Sequence, residues 1–282
     1  YYAHHRESGM LLRVAMSKQQ IITGIDLGTD KCVTLIAKVE GDKTAPQVLG
    51  VSTVASKGMR RSQIIDLEQV LETINESLDG AERMAGLEIK EAYLSVAGTH
   101  IASFNSKGVV AVSSPDQEIV PADVERVIEA ARAISLPSDK EIIHVIPNCY
   151  KVDAQDGIKD PIGMNGIRLE VETLIVQGLS TQIKNLSRAI YRTGLEIEAI
   201  VLAPIAAAEA VISPKQKELG TALINLGSST TSIAVYEERN LIHTASLPIG
   251  AEHITADVAI GLRCPINLAE RIKREYGSAN II

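Results

Sequence analysis

The chain has 282 residues, 45% of them hydrophobic and 22% charged, with a formal net charge of −7. That length suits two domains or one subdivided domain, and the acidic balance argues against a broad nucleic-acid-binding face, which needs a basic surface. Aromatic side chains make up only 3%, with no Trp and a single Phe at position 104, so the core must be built from Val, Ile, Leu and Ala, as in a largely parallel sheet flanked by helices.

Residues 1–15 hold a short apolar stretch without the long apolar centre of a signal peptide, and read as a non-native or disordered leader ahead of Met16. The pair His4 and His5 reads as tag-like rather than metal-binding. Ile21 to Leu27 is a β-rich run, Gly28-Thr29-Asp30-Lys31 is turn chemistry, and Val33 to Val39 resumes the strand pattern. A polar turn at Gly41-Asp42-Lys43 leads to a third strand, Gln47 to Thr53. A helix follows, N-capped by Asp66 with Gln69 three residues on, its apolar face Leu67, Val70, Leu71, Ile74 and Leu78, and Gly86 beyond its end. Residues 92–172 separate as a small α+β unit. It opens on a strand at Ala92 to Ala97, with another at Gly108 to Val112. Pro121 starts a helix faced by Val124, Val127, Ile128, Ala131 and Ile134 and stopped by Pro137. Strands at Ile142 to Val152 and Leu169 to Val176 flank a loop at 157–166. The α/β rhythm then resumes with a helix through Ile183, Leu186 and Ile190, a strand from Ala199 to Leu202, and an Ala-rich helix from Pro204 to Ile212. A last hairpin pairs Thr221 to Leu226 with Thr231 to Tyr236. The cysteines, Cys32, Cys149 and Cys264, lack CxxC spacing and a nearby His, which reads as reduced thiols in a cytosolic protein. No apolar run reaches transmembrane length.

The informative feature is a repeat. Gly24-Ile25-Asp26-Leu27-Gly28-Thr29 matches Leu223-Ile224-Asn225-Leu226-Gly227-Ser228, one copy in each half of the chain. A strand ending in a short polar side chain, then Gly, then hydroxyl residues, has a physical use. The Gly allows a sharp turn and close backbone approach, successive N–H groups form an anion nest, and a carboxylate at the strand end holds a water of Mg²⁺. One such turn is commonplace. Two matched copies at α/β strand ends imply a nucleotide clamped between two lobes.

These residues resemble the actin, Hsp70 and sugar-kinase superfamily. The first hairpin resembles its phosphate-1 motif and the second its phosphate-2 motif, and Ala203-Pro204-Ile205-Ala206-Ala207-Ala208 resembles the helix connecting them. Pro248-Ile249-Gly250, then Glu270-Arg271-Ile272-Lys273-Arg274, resembles the segment whose ExxK side chains reach the ribose and base. Within the superfamily the chain is similar to the FtsA family over about residues 20–282. Ser56-Lys57-Gly58-Met59-Arg60, the stretch from Ala92 to Ile101, His144-Val145-Ile146-Pro147 and the stretch from Gly157 to Gly163 carry that similarity. It implies a two-lobed actin-like ATPase fold with ribonuclease H-like repeats and an inserted subdomain 1C (SHS2) at 92–172. Residues 16–91 and 173–198 would form subdomain 1A, residues 199–250 subdomain 2A, and residues 251–282 the truncated start of 2B.

The same resemblance implies ATP and Mg²⁺ as cofactors, with Asp26, Leu27, Gly28, Thr29, Asp30, Lys31, Asn225, Gly227, Ser228, Ser229, Thr230, Gly250, Glu270 and Lys273 at the nucleotide. Asp26 and Asn225 would reach the metal through water. It also implies head-to-tail self-assembly, FtsZ and other divisome proteins as partners, and a peripheral place on the inner face of the cytoplasmic membrane. A C-terminal amphipathic helix, absent from this chain, would make the membrane contact. Lys31 also reads as a solvated turn lysine, and Glu270 with Lys273 as an ordinary surface pair. Asn225 stands where Asp is usual, and Ala203 where efficient relatives place a Glu that orients water, so a slow nucleotide switch is expected. His144 reads as structural, and no nucleophile–base constellation is evident. The rival readings are a PilM-like pilus-assembly adaptor, which shares the 1C insertion, and a sugar-kinase-type phosphotransferase.

Overall fold

The computed structural model describes residues 20–40 and 45–280. The leader reading of residues 1–15 and the turn at Gly41-Asp42-Lys43 lie outside the described residues. The chain opens on three antiparallel strands, β1 (Gln20–Leu27), β2 (Lys31–Val39) and β3 (Gln47–Ala55). A two-stranded hairpin follows, β4 (Met59–Arg60) and β5 (Gln63–Ile64), and then α1 (Leu67–Ala85) and β6 (Glu91–Val96). The Asp66 carboxylate caps α1 by accepting the N–H groups of Glu68 and Gln69, and Gly86 ends the helix in the left-handed conformation. Both ends follow from local chemistry that the sequence displays.

Next comes β7 (Ala102–Ala111), α2 (Pro121–Arg132), β8 (Lys140–Val152), β9 (Gln155–Ile158) and β10 (Arg168–Leu179), then α3 (Ser180–Arg192) and β11 (Glu196–Leu202). The last part holds α4 (Ala203–Val211), α5 (Pro214–Leu219), β12 (Thr221–Leu226), β13 (Thr231–Glu237), β14 (Asn240–Leu247), α6 (Ala251–Leu262) and α7 (Ile266–Tyr276).

Three sheets organise these elements. The first runs β11-β6-β1-β2-β3, with β6 parallel to both β1 and β11. Ile25 and Leu27 of β1, Leu94 of β6, Val70 and Ile74 of α1 and Ile190 of α3 share one core, each nearly or wholly buried. Burying such a side chain contributes about 1.5–3 kcal/mol, and the strand alternation that turns Ile25 and Leu27 inward leaves Asp26 on the opposite, exposed face. The second sheet, β7-β10-β8-β9, is antiparallel. Helix α2 packs Val127, Ile128 and Ala131 against its Tyr150, Val152, Leu169 and Val171. The third, β12-β13-β14, repeats the order and direction of β1-β2-β3, with Leu226 opposite Thr231 as Leu27 is opposite Cys32. Its Ala234, Tyr236 and Leu241 meet Leu174 of β10 and Ala208 of α4, which joins the last sheet to the second.

Several elements differ from the sequence expectation. Residues 92–97 read as the opening of the small unit, yet β6 sits inside the five-stranded sheet, because its parallel partners lie far away in sequence. Helix α2 stops at Arg132, before Ile134 and well before Pro137. The loop expected at 157–166 begins inside β9, while α5, β14 and α6 have no counterpart in the expectation.

Candidate functional site

The two matched hairpins fold alike. The Gly28 N–H donates to the Lys31 carbonyl at 3.0 Å, and the Gly227 N–H to the Thr230 carbonyl at 2.9 Å. A Cβ on Gly28 would lie 3.1 Å from the Lys31 oxygen, and one on Gly227 would lie 2.9 Å from the Thr230 oxygen. Glycine is thus the residue that permits each close return of the backbone. The turns then meet across the cleft, where Thr29 Oγ1 and Ser229 Oγ are 2.8 Å apart. Ser229 and Thr230 are buried, whereas Asp26, Asp30, Lys31 and Asn225 are exposed. Leu27 belongs to the core, so its side chain is structural and only its backbone borders the turn. The N–H groups of Thr29, Asp30, Ser228 and Ser229 donate to no group among the described residues, which leaves donors of both turns for an anion.

Asp26 closes the exposed end of β1. Ser95, brought alongside by the parallel pairing of β6, donates its hydroxyl to the Asp26 carboxylate. Asn225 occupies the corresponding place on β12, opposite Ser232. Lys31 is the first residue of β2 rather than a turn residue.

Helix α6 is set against the second turn by backbone alone. The Ala251 N–H donates to Gly227 at 2.9 Å and the Glu252 N–H to Ser228 at 2.8 Å, so first-turn donors of α6 are satisfied by the hairpin rather than by a capping side chain. Gly250, just before them, packs so closely that a Cβ there would sit 2.3 Å from the Ser228 oxygen. Glu270 and Lys273 of α7 face this junction. Lys273 Nζ lies 2.5 Å from the Glu270 carboxylate, donates to Thr255 Oγ1 at 2.7 Å and reaches the Ala251 carbonyl at 3.3 Å. Thr255 in turn donates to Glu270 at 2.5 Å. The Lys273 ammonium, and after it the Thr255 hydroxyl, hold the Glu270 carboxyl below the usual range. The turns after β1 and β12 therefore touch, and α6 links the second turn to Glu270 and Lys273.

Sequence reasoning missed Thr255 and Ser95. Thr255 falls one helical turn beyond Ala251, a spacing that shares a helix face, but its partner is on another helix. Ser95 stood in a stretch noted only for its family likeness. His144 is structural in a specific way: its Nε2 accepts the Leu202 N–H at 3.0 Å, immediately before Ala203 opens α4. Burial pushes this imidazole down to about 4, so it remains a neutral acceptor.

Comparison with known proteins covers nearly the whole chain. The sequence profile of the SHS2 domain inserted in FtsA matches residues 98–177, and that of cell division protein FtsA matches residues 222–281. The chain is 38% identical over 260 residues to the cell division protein FtsA of Pseudomonas aeruginosa, covering 92% of this chain and 62% of the relative. It is 39% identical over 264 residues to that of Bacillus subtilis, covering 94% and 60%. For Escherichia coli the identity is 31% over 266 residues, covering 94% and 63%. The chain thus spans about three-fifths of the length of these relatives. In fold it resembles a chain of the PilM–PilN type IV pilus biogenesis complex, with a TM-score of 0.67 at 14% identity over 92% of this chain and 71% of that one. It also resembles the ethanolamine utilization protein EutJ of Carboxydothermus hydrogenoformans, with a TM-score of 0.53 at 16% identity over 93% and 64%. These likenesses establish an actin-like fold carrying an SHS2 insertion.

Proposed function

This chain belongs to the FtsA family of cell-division proteins, and from that premise we propose that it clamps Mg-ATP between residues 26–31 and 225–231 as a slow switch for assembly at the division site. The observation that carries the reading is the meeting of two like turns from opposite lobes, Thr29 against Ser229 at 2.8 Å, with backbone donors of both turns unpaired among the described residues. Opening that contact exposes two hydroxyls and two nests to one anionic chain, which fits the phosphates of a nucleotide. Asp26 would accept a water of the metal from the first lobe, and Asn225, being neutral, would offer a weaker hold from the second. Glu270 and Lys273, on the far side of the second turn, are the groups for the ribose and base. When bound, Mg-ATP supplies a phosphoanhydride that can be cleaved, but Ala203 offers no carboxylate to orient water, so turnover is slow and nucleotide state persists.

The wider role extends the same proposal from family membership. The unit from β7 to β10 serves as the 1C subdomain and one half of a head-to-tail contact, set between a first lobe that keeps β6 and β11 in its sheet and a second lobe that runs from α4 onward. A heterologous contact that does not close on itself builds filaments. The full-length protein links FtsZ filaments and other division proteins to the inner face of the cytoplasmic membrane. Among the described residues no helix is long and apolar enough to cross a membrane, and attachment is peripheral in this reading.

The test is calorimetric titration of the full-length protein with Mg-ATP and Mg-ADP, beside Asp26→Asn. A hydrogen bond to a charged group is worth roughly 1.5–3 kcal/mol, so Asp26→Asn should weaken Mg-dependent binding by about tenfold to a hundredfold. No binding of either nucleotide by the wild type would overturn the proposal.

A further inference from the structure

Between β3 and α1 the chain makes the short β4–β5 hairpin, whose two corner residues are Arg61 and Ser62. Both have positive φ, 49° and 60°, a conformation that costs a residue with a side chain and that tight hairpins ordinarily fill with Gly or Asn. The base of the hairpin is firmly set. Met59 and Ile64 pack on the core of the first lobe, and the Gly58 carbonyl accepts the N–H groups of Ile65 at 2.9 Å and Asp66 at 3.2 Å. The tip lies on the two turns of the candidate site. The Ser62 N–H donates to Thr29 Oγ1 at 2.9 Å, and Ser62 Oγ lies 3.4 Å from Thr230 Oγ1. With the Thr29–Ser229 contact, four hydroxyls from three separate turns form one cluster. Gly98 leaves room for the tip, since a Cβ there would come within 3.3 Å of the Ser62 Cβ. Arg60 and Arg61 are exposed, and their guanidinium groups have no ion-pair or hydrogen-bond partner among the described residues.

We propose that Arg61 and Ser62 form a third wall of the phosphate site and supply the contact that distinguishes a nucleoside triphosphate from a diphosphate. This rests on the reading of the cleft given above, and adds to it a segment outside both matched hairpins. The hairpin is fixed to the first lobe, yet its tip reaches Thr230 of the second, so it reads the point where the lobes come closest. Helix α6 meets the second turn at Gly227 and Ser228, whereas the hairpin tip meets the turns at Thr29 and Thr230; with ribose and base assigned to the α6–α7 side, the terminal phosphate falls to the hairpin side in this proposal. There Ser62 offers a hydroxyl, and Arg61 a delocalised charge on a flexible stem that matches phosphate geometry. The strained turn fits this role: Gly would relax the backbone but would remove both groups.

The test measures dissociation constants for Mg-ATP and Mg-ADP on the full-length protein, Arg61→Ala, Arg61→Lys and Ser62→Ala, with thermal denaturation to confirm folding. Arg61→Ala should weaken Mg-ATP on the order of tenfold and leave Mg-ADP nearly unchanged, Arg61→Lys should recover part of the loss, and Ser62→Ala should weaken Mg-ATP selectively to a smaller degree. Equal weakening of both nucleotides, or no change in either, would refute the hairpin's role while leaving the cleft reading intact if the wild type still binds. Failure of the wild type to bind either nucleotide would overturn the cleft reading and this inference with it.

Discussion

Gly250 and Gly261 stand at opposite ends of one helix, and replacing each by Ala should move stability in opposite directions. At Gly250 the φ and ψ of −148° and −174° are open to any residue, so conformation is not the issue; space is. An added Cβ would lie 2.3 Å from the Ser228 oxygen and 2.7 Å from the Gly227 oxygen, both backbone atoms of a tight turn. The methyl can be accommodated only by moving α6 off that turn, which breaks or stretches the Ala251–Gly227 and Glu252–Ser228 hydrogen bonds at 2.9 and 2.8 Å. Each of the two bonds is worth about 0.5–1.5 kcal/mol and the overpacking about 1–3 kcal/mol, so Gly250→Ala should cost about 2–6 kcal/mol. At Gly261 nothing lies within 4 Å of an added Cβ, and helix propensity predicts a gain of about 0.5–1 kcal/mol. Denaturant unfolding of the two variants beside wild type measures both. If Gly250→Ala were as stable as wild type, the account of α6 as a helix seated on the phosphate turn by backbone contact would be wrong.

The partly buried His144 should make stability pH-dependent. Its folded pKa of about 4 lies below the ordinary 6.5, so its contribution is fully present above pH 6.5 and is lost as pH falls toward 4, by up to about 3 kcal/mol. His144→Gln, which keeps an acceptor for the Leu202 N–H but does not titrate, should flatten the stability profile in that window; an unchanged slope would place the pH dependence elsewhere. At the strand ends, Asn225→Asp should strengthen the Mg²⁺ dependence of nucleotide binding, read by titration at varied Mg²⁺, and phosphate release should stay slow because Ala203 is unchanged. Brisk turnover in Asn225→Asp alone would refute the role assigned to Ala203. Removing the cap with Asp66→Ala should cost about 1 kcal/mol, checked by the same unfolding experiment.

What could be read from the sequence was what local chemistry controls. Asp66 and Gly86 announce the ends of α1, and the matched turns announce themselves because both lobes use Gly followed by hydroxyl residues. The hidden parts depend on distant partners or on turns without their usual residues. The corner between β13 and β14 is made by Glu238 and Arg239, both at positive φ, as Arg61 and Ser62 make that of β4 and β5; neither hairpin carries the Gly or Asn that signals one. Helix α6 begins without a polar cap because its first N–H groups are met by Gly227 and Ser228, more than twenty residues earlier. The place of β6 in the large sheet is invisible locally, since its neighbours β1 and β11 lie far from it on either side in sequence. In the site, Asp26, Thr29 and Ser229 were legible as a motif, whereas Ser62, Ser95 and Thr255 join it only through folding.

To hold the phosphates of a nucleotide, these two turns must separate. A crystal structure of the protein with Mg²⁺ and a non-hydrolysable ATP analogue tests it most directly. Phosphate oxygens should lie within hydrogen-bond distance of the N–H groups of residues 29–30 and 228–229, with the 2.8 Å contact between Thr29 and Ser229 broken. A nucleotide bound elsewhere, or one bound while that contact stays closed, would contradict it.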